Sequence, residues 1–394
     1  MAARTGEWNP GRPDYLLVAV VALLTAFGLV AVYSASFVRS LVDFGDPYSF
    51  VLRQGIWAFG GAIGMFVMAR LDYRRLRPLA VPLMGVTIAL LVVVIVMGVE
   101  GGGARRWIGV GELTLQPAEF AKLTVTIYLA AWLASRGGSL RSFEHGLVPF
   151  VLIIGTVSAL ILLQPNLGTT LIILAITVTM FWVAGATFLQ MLSLFGSGLV
   201  AITVLALGAG YRAERITAFL HAEKDPDGIG FQTLQALIAI GNGGVTGLGL
   251  GASRAKFFYL PESHTDGIFA IIGEELGLLA GLSLLLLYIL LMIRGYQVAR
   301  RARDEFGQLV ATGITTWVAV QAFLNIGGIL RVIPLTGVPL PFVSYGSNAL
   351  AALLLAMGVL VSISRYGNDR GGYLDQHPVD RRPRGAIIRR EQEP

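Results

Sequence analysis

Apolar runs of about 20 residues, each long enough to cross a hydrocarbon core of roughly 30 Å as a helix, recur from Tyr15 to Ile363. Inside lipid every backbone polar group has to be paired, and segments of this length do so as helices. The chain of 394 residues is 55% hydrophobic and only 14% charged, against about a quarter charged in a soluble chain. Its mean hydropathy is +0.71. The expected fold is therefore all-α: a polytopic membrane protein with about ten transmembrane helices in one membrane domain.

Spans are predicted near 15–36, 49–69, 78–98, 117–135, 145–163, 167–184, 188–210, 267–293, 307–330 and 341–364. Two of them nearly touch at Gln164-Pro165-Asn166, where proline has to break the helix. The organisation is then a segment 1–13, a membrane domain 14–365 with a long loop at about 211–266, and a tail 366–394. The tail is polar, rich in Arg and Pro, and expected to be disordered. The first apolar run is too long for a cleaved signal and reads as a retained anchor.

Arginine clusters follow spans two, four, eight and ten and precede span one. With an even number of spans all of them fall on one side, so the positive-inside rule predicts cytoplasmic termini in an inner membrane. The formal charge of +6 thus reflects membrane orientation and gives no reason to expect nucleic acid. Cys is absent, which excludes disulfides and thiolate metal sites, and four His argue against a zinc enzyme.

Two stretches on the predicted outer side concentrate polar chemistry. In "GGGARRWIGVGELTLQPAEFAKL" glycines free the backbone and Arg105, Arg106 and Trp107 follow. Guanidinium groups could grip a phosphate bidentately; the plainer reading is an interfacial indole with arginines among lipid head groups. Pro117 suits a first helical turn, and Glu119 and Lys122, three apart, face each other as a functional or a structural pair. The second loop contains Arg215, a short amphipathic helix at about Phe231 to Ile240, a glycine run from Gly241 to Gly251, and Lys256. That run either lets backbone approach a ligand or is a flexible link; it lacks the phosphate-loop spacing. A loop of this length is usually functional.

The second loop ends in "YLPESHTD", with Glu262, His264 and Asp266 at the membrane lip, before "IIGEELG" carries Glu274 and Glu275 inward. Asp266 is either a general base or, with Thr265, an N-cap of span eight. Glu274 and Glu275 are either partners of a buried cation such as Lys122 or braces between helices. Asn325 is a buried polar residue of span nine. Pro334, Pro339 and Pro341 break the helix before Ser344 and Tyr345, which are expected to open span ten. Irregular backbone at that depth implies a cavity.

In this order the runs "VYSAS" (Val32–Ser36), "GARRWI…QPAEFAKL", "FQTLQALIAIGNGG", "YLPESHTD", "IIGEELG" and "TGVPLPFVSYG" resemble the SEDS family of FtsW/RodA-type peptidoglycan polymerases, more the division than the elongation branch. The resemblance implies a glycosyltransferase that polymerises lipid II for septal or lateral wall synthesis and releases undecaprenyl pyrophosphate. It implies an essential Asp at position 266, a class B penicillin-binding protein as partner beside other division or elongation proteins, and a divalent cation, Mg²⁺ or Mn²⁺, as the cofactor to look for. Arg105, Arg106, Arg215 and Lys256 are expected around the diphosphate. Trp107, Lys122, Glu119, Glu262, His264, Asn325 and Ser344 complete the expected substrate-binding set. Three departures stand out: Gly267 where the family usually has Phe, Arg331 in place of a small residue, and Ser347-Asn348-Ala349 after "SYG". The rival readings are a lipid II flippase, which needs polar groups along the full depth of a path, and a non-catalytic division scaffold.

Overall fold

The computed structural model describes residues 11–101, 104–110, 113–208, 219–222 and 228–367. Arg215 and the tail 368–394 lie outside the described residues. Ten long helices stand at the predicted positions: α1 Tyr15–Phe44, α2 Ser49–Arg70, α3 Leu76–Met97, α4 Pro117–Leu133, α5 Val148–Leu162, α6 Leu167–Val183, α7 Phe188–Gly208, α9 Ile268–Arg301, α10 Glu305–Ile329 and α11 Ser347–Arg365. An eleventh, α8 Ile229–Gly243, lies within the long loop. Among the described residues seven helices are long and apolar enough to cross a membrane, and α6 is a shorter apolar one. This is a multi-pass membrane protein.

Local sequence sets the helix starts. Asp14 accepts from the Leu17 amide and Asn166 from the Thr169 amide as N-caps of α1 and α6, and Pro117 occupies the first turn of α4. Span ten starts later than expected, at Ser347. Ser344 stays in the preceding turn, with its hydroxyl accepting from the Leu340 amide. Helices α10 and α11 form the buried centre, whereas α2 and α3 present most of their surface outward, as lipid-facing helices do. Close packing of α2 on α11 rests on small residues: a Cβ on Gly358 would stand 2.5 Å from the Met65 carbonyl.

The first outer stretch is not a loose glycine loop. It forms a three-stranded antiparallel sheet, β1 Val99–Gly101, β2 Ala104–Val110 and β3 Leu113–Leu115, in the order β1-β2-β3. Its register pairs Val99 with Trp107 and Ile108 with Leu115, with an irregularity between Val99 and Glu100. Asn348 at the start of α11 fastens it by donating to the Thr114 carbonyl at 2.8 Å.

The glycine run after α8 is not a free link. Helix α9 breaks at Gly277 (φ 73°, ψ −172°), and the run inserts into the break. Leu248 and Gly249 amides donate to the freed Glu274 and Glu275 carbonyls at 3.0 and 2.9 Å, and Leu278 donates to Gly244 at 3.0 Å. A Cβ on Gly277 would lie 2.4 Å from the Gly247 nitrogen, so the position accepts glycine alone. Below the break the Glu275 carboxylate accepts from Lys256 Nζ (3.0 Å), Ser34 Oγ (2.7 Å) and the Ser253 amide (3.3 Å), while Glu274 accepts from Ser253 Oγ and the Ala255 amide. The buried cation beside these acids is therefore Lys256. Lys122 pairs with Glu119 instead.

Candidate active site

Four helices begin around one cavity of about 560 Å³. Gln116 and Glu119 come from the start of α4, Asn166 and Thr169 from α6, Thr265 and Asp266 from just before α9, and Gly346 to Ala349 from α11. Arg106 and Trp107 of β2 and the turn Gly337 to Pro339 close it. A helix start carries unpaired N–H groups and about half a positive charge. Four starts plus a guanidinium make this end of the bundle receptive to an anion.

Asp266 is one of three acids on this ring, with Glu119 and Glu262, and is itself buried. It does not cap α9: the N-cap is Gly267, without a side-chain bond. Its Oδ1 instead accepts from Thr265 Oγ1 at 3.2 Å and, at 3.5 Å, from Gln232 Nε2 of α8, and the residue lines the cavity. Its backbone is fixed from behind, because Asn325 Nδ2 donates to the Asp266 carbonyl at 2.9 Å and to the Val338 carbonyl at 2.8 Å. One buried amide thus ties the acid to the cavity residue Val338. Gly267 fits the same tight turn: a Cβ there would lie 3.0 Å from the Glu262 carbonyl.

Arg106 donates to the Gln164 and Pro165 carbonyls at 3.2 and 2.5 Å, which braces its guanidinium against the end of α5. Glu119 lines the cavity and accepts from Lys122 Nζ at 2.8 Å. Lys122 lies one turn deeper, fully buried, where it also donates to Gln321 (3.2 Å) and sits 4.8 Å over the Trp317 ring. Glu262 is exposed on the rim, 3.8 Å from Arg39 and bonded by Thr265 at 2.9 Å.

Of the expected site residues, the structure gathers Arg106, Trp107, Glu119, Glu262 and Asp266 on the cavity, with Lys122 and Asn325 directly behind it. Arg105, next to Arg106 on β2, is exposed and does not line the cavity. Three others are placed elsewhere for identifiable reasons. Lys256 is committed to Glu275. Ser344 is turned inward by the Leu340 amide. His264 packs between Phe50 and Tyr345, with ring centroids at 4.7 and 5.6 Å. Burial drives the His264 imidazole down to about 4, with Arg39 adding to the effect and Glu262 and Asp43 opposing it. The cavity also uses Asn166, Thr169 and Asn348, with Gln232 bonded to Asp266, none of which residue type alone singled out as a site residue. Asn348 gave one signal, as a departure after "SYG". Among the described residues no three His, Cys, Asp or Glu gather at a point.

Fold and site define a polytopic helical membrane protein with an acid-bearing, anion-receptive cavity at one end of its bundle. The chain belongs to the FtsW/RodA/SpoVE family, whose model, described as cell cycle protein, matches residues 14–369. It is 44% identical to stage V sporulation protein E of Bacillus subtilis (strain 168) over 90% of this chain and 97% of that one. It is 39% identical to the probable peptidoglycan glycosyltransferase FtsW of Trichlorobacter lovleyi, over 89% and 93% of the two chains. Among solved structures it resembles a chain of a peptidoglycan synthase complex that coordinates polymerization and crosslinking, with a TM-score of 0.74 and 30% identity over 90% of this chain and 98% of that one.

Proposed function

We propose that the chain is a peptidoglycan glycosyltransferase that polymerises lipid II. The observation that carries this reading is the joint placement of Asp266 and Arg106 on a cavity ringed by four helix starts. Lipid II presents both groups such a cavity suits, a sugar hydroxyl to deprotonate and a diphosphate to hold. Asp266 takes the proton from the acceptor GlcNAc 4-hydroxyl. The oxygen attacks the anomeric carbon of the donor MurNAc, the bond from that carbon to the diphosphate oxygen breaks, and undecaprenyl pyrophosphate leaves. Arg106 and the helix starts stabilise the charge that grows on the departing diphosphate.

The relationship to a complex that couples polymerization to crosslinking supports a crosslinking partner, a class B penicillin-binding protein. The cavity belongs to the extracytoplasmic face and both termini to the cytoplasm, a reading supported by the arginine clusters at the other end of the bundle. A flippase fits less well. The polar lining stops within the first turns of α4 and α6, and Lys122 below it is neutralised by Glu119.

The test is polymerisation of lipid II by the purified chain with its partner and Mg²⁺ or Mn²⁺, read as glycan strands on a gel. Asp266→Asn is expected to slow it roughly 100- to 10,000-fold while unfolding at the parent temperature. Polymer formed at the parent rate by Asp266→Asn would remove the assignment.

A further inference from the structure

At the other end of the bundle, roughly 40 Å along α9 from Asp266 at 1.5 Å per residue, two cavities share a wall. The first, about 210 Å³, is lined by Arg12, Asp14, Arg294, Gln297, Arg301 and Ser364, among others. Asp14 is committed inward. Its carboxylate accepts from Arg294 Nε at 3.0 Å and Nη2 at 2.7 Å, and its amide donates to Ser364 Oγ at 3.1 Å. Arg12 and Arg301 are exposed, and their side chains make no hydrogen bond or ion pair among the described residues. Among the described residues, three guanidinium groups against one carboxylate leave this small cavity with two positive charges in excess.

The second cavity, about 420 Å³, is a groove lined by Ile289, Met292, Ile293, Tyr296, Gln297 and Arg300. Gln297 belongs to both cavities. On α9 the residues 294, 297, 298 and 301 recur at helical spacing along the cationic side, and 289, 292, 293, 296 and 300 along the adjoining apolar side. Ile293 is 49% exposed and Ile289 37%. In a membrane helix such a surface is covered by acyl chains.

A free phosphate would satisfy the cationic cavity and leave the groove unexplained; a neutral lipid would do the reverse. We propose that the two cavities form one site for an anionic phospholipid of the bilayer. Its phosphate sits between Arg12 and Arg301, and one acyl chain runs down the groove past Gln297. Arginines near a membrane surface attract anionic lipid in general, by about 1 kcal/mol each, or roughly fivefold. What marks this site is a cationic cup continuous with an apolar channel.

Native mass spectrometry of the purified full chain with equal phosphatidylglycerol and phosphatidylcholine of matched acyl chains tests the proposal. The parent is expected to retain phosphatidylglycerol about tenfold over phosphatidylcholine. Arg12→Gln/Arg301→Gln should abolish the preference, Ile293→Gln should weaken retention several-fold, and millimolar inorganic phosphate should not displace the lipid. Arg75→Gln/Arg77→Gln removes the same charge from exposed positions at the same end, and should leave the preference intact. Equal retention of both lipids by the parent, an equal loss in the Arg75/Arg77 control, or displacement by phosphate alone would each overturn the proposal. None of these readouts depends on polymerase activity.

Discussion

Asn325 shows how one buried amide can position the residue proposed as the base. Its amide bridges two carbonyls, those of the cavity residues Asp266 and Val338. Leucine at 325 would keep the volume and remove both of these hydrogen bonds, at about 1 kcal/mol each. Asn325→Leu is therefore expected to lower the maximal polymerisation rate roughly 10- to 100-fold, with the lipid II concentration at half rate nearly unchanged, because an ångström-scale shift of the base costs turnover before binding. An unchanged rate per folded molecule would reduce Asn325 to a helix brace. His264 makes the complementary case, a histidine beside the acid with a packing role. Its folded pKa, about 4, lies below the ordinary 6.5. Unfolding therefore takes up a proton as the pH falls from 6.5 towards 4. Its contribution, up to about 3 kcal/mol, is complete above pH 6.5 and lost through that window. His264→Phe should flatten the acid limb of the melting-temperature profile, and an identical acid limb would show that another group titrates there.

At the scale of elements, the break in α9 is held by a buried charge cluster as much as by backbone pairing. Glu275→Gln would strip the charge partner from Lys256, whose ammonium stays buried beside Ser34 and the Gly251 carbonyl. Removing one member of such a pair costs about 3–5 kcal/mol, whereas exchanging both for neutral groups is often tolerated. The melting temperature in detergent should drop sharply for Glu275→Gln and recover in Lys256→Met/Glu275→Gln; a single variant as stable as its parent would contradict the pairing. This element also marks what could be read in advance. Length and hydropathy found all ten long helices, and Gln116-Pro117 and Asn166 marked two starts that later surround the cavity. The amphipathic pattern found α8 within two or three residues of its ends. The partner of Glu275 was out of reach, because nothing local distinguishes Lys256, 19 residues upstream, from Lys122. Nor did the glycines of 241–251 reveal their place, since filling a helix break is a tertiary event with no periodicity of its own. The hairpin of β1 to β3 was missed for a related reason: its strands are three to seven residues long and mixed in polarity, and they read as loop.

For the whole molecule, the two ends of the bundle differ in kind, and that asymmetry supports the orientation proposed above. One end gathers the cavity. The other ties the start of α1 to the end of α11 (Gly11 amide to Arg365 carbonyl, 2.7 Å) and the α2–α3 turn to the same helix (Tyr73 amide to Ser362, 3.2 Å), amid Arg74, Arg75, Arg77, Arg294, Arg300 and Arg301. Reversing the protein would carry this arginine collection across the bilayer against the positive-inside bias. It would also turn the cavity away from the face where a wall polymer grows. The chain contains no cysteine, so a single introduced thiol reports its own side. Asp43→Cys, at the end of α1 beside the cavity rim, should react with a membrane-impermeant maleimide in intact spheroplasts. Ser135→Cys after α4 and Arg77→Cys at the start of α3 should react only after permeabilisation. All three positions are exposed, so lack of access cannot imitate sidedness, and labelling of the permeabilised sample verifies each thiol. Labelling of Arg77→Cys in intact cells, with Asp43→Cys protected, would invert the topology and separate the cavity from the growing wall.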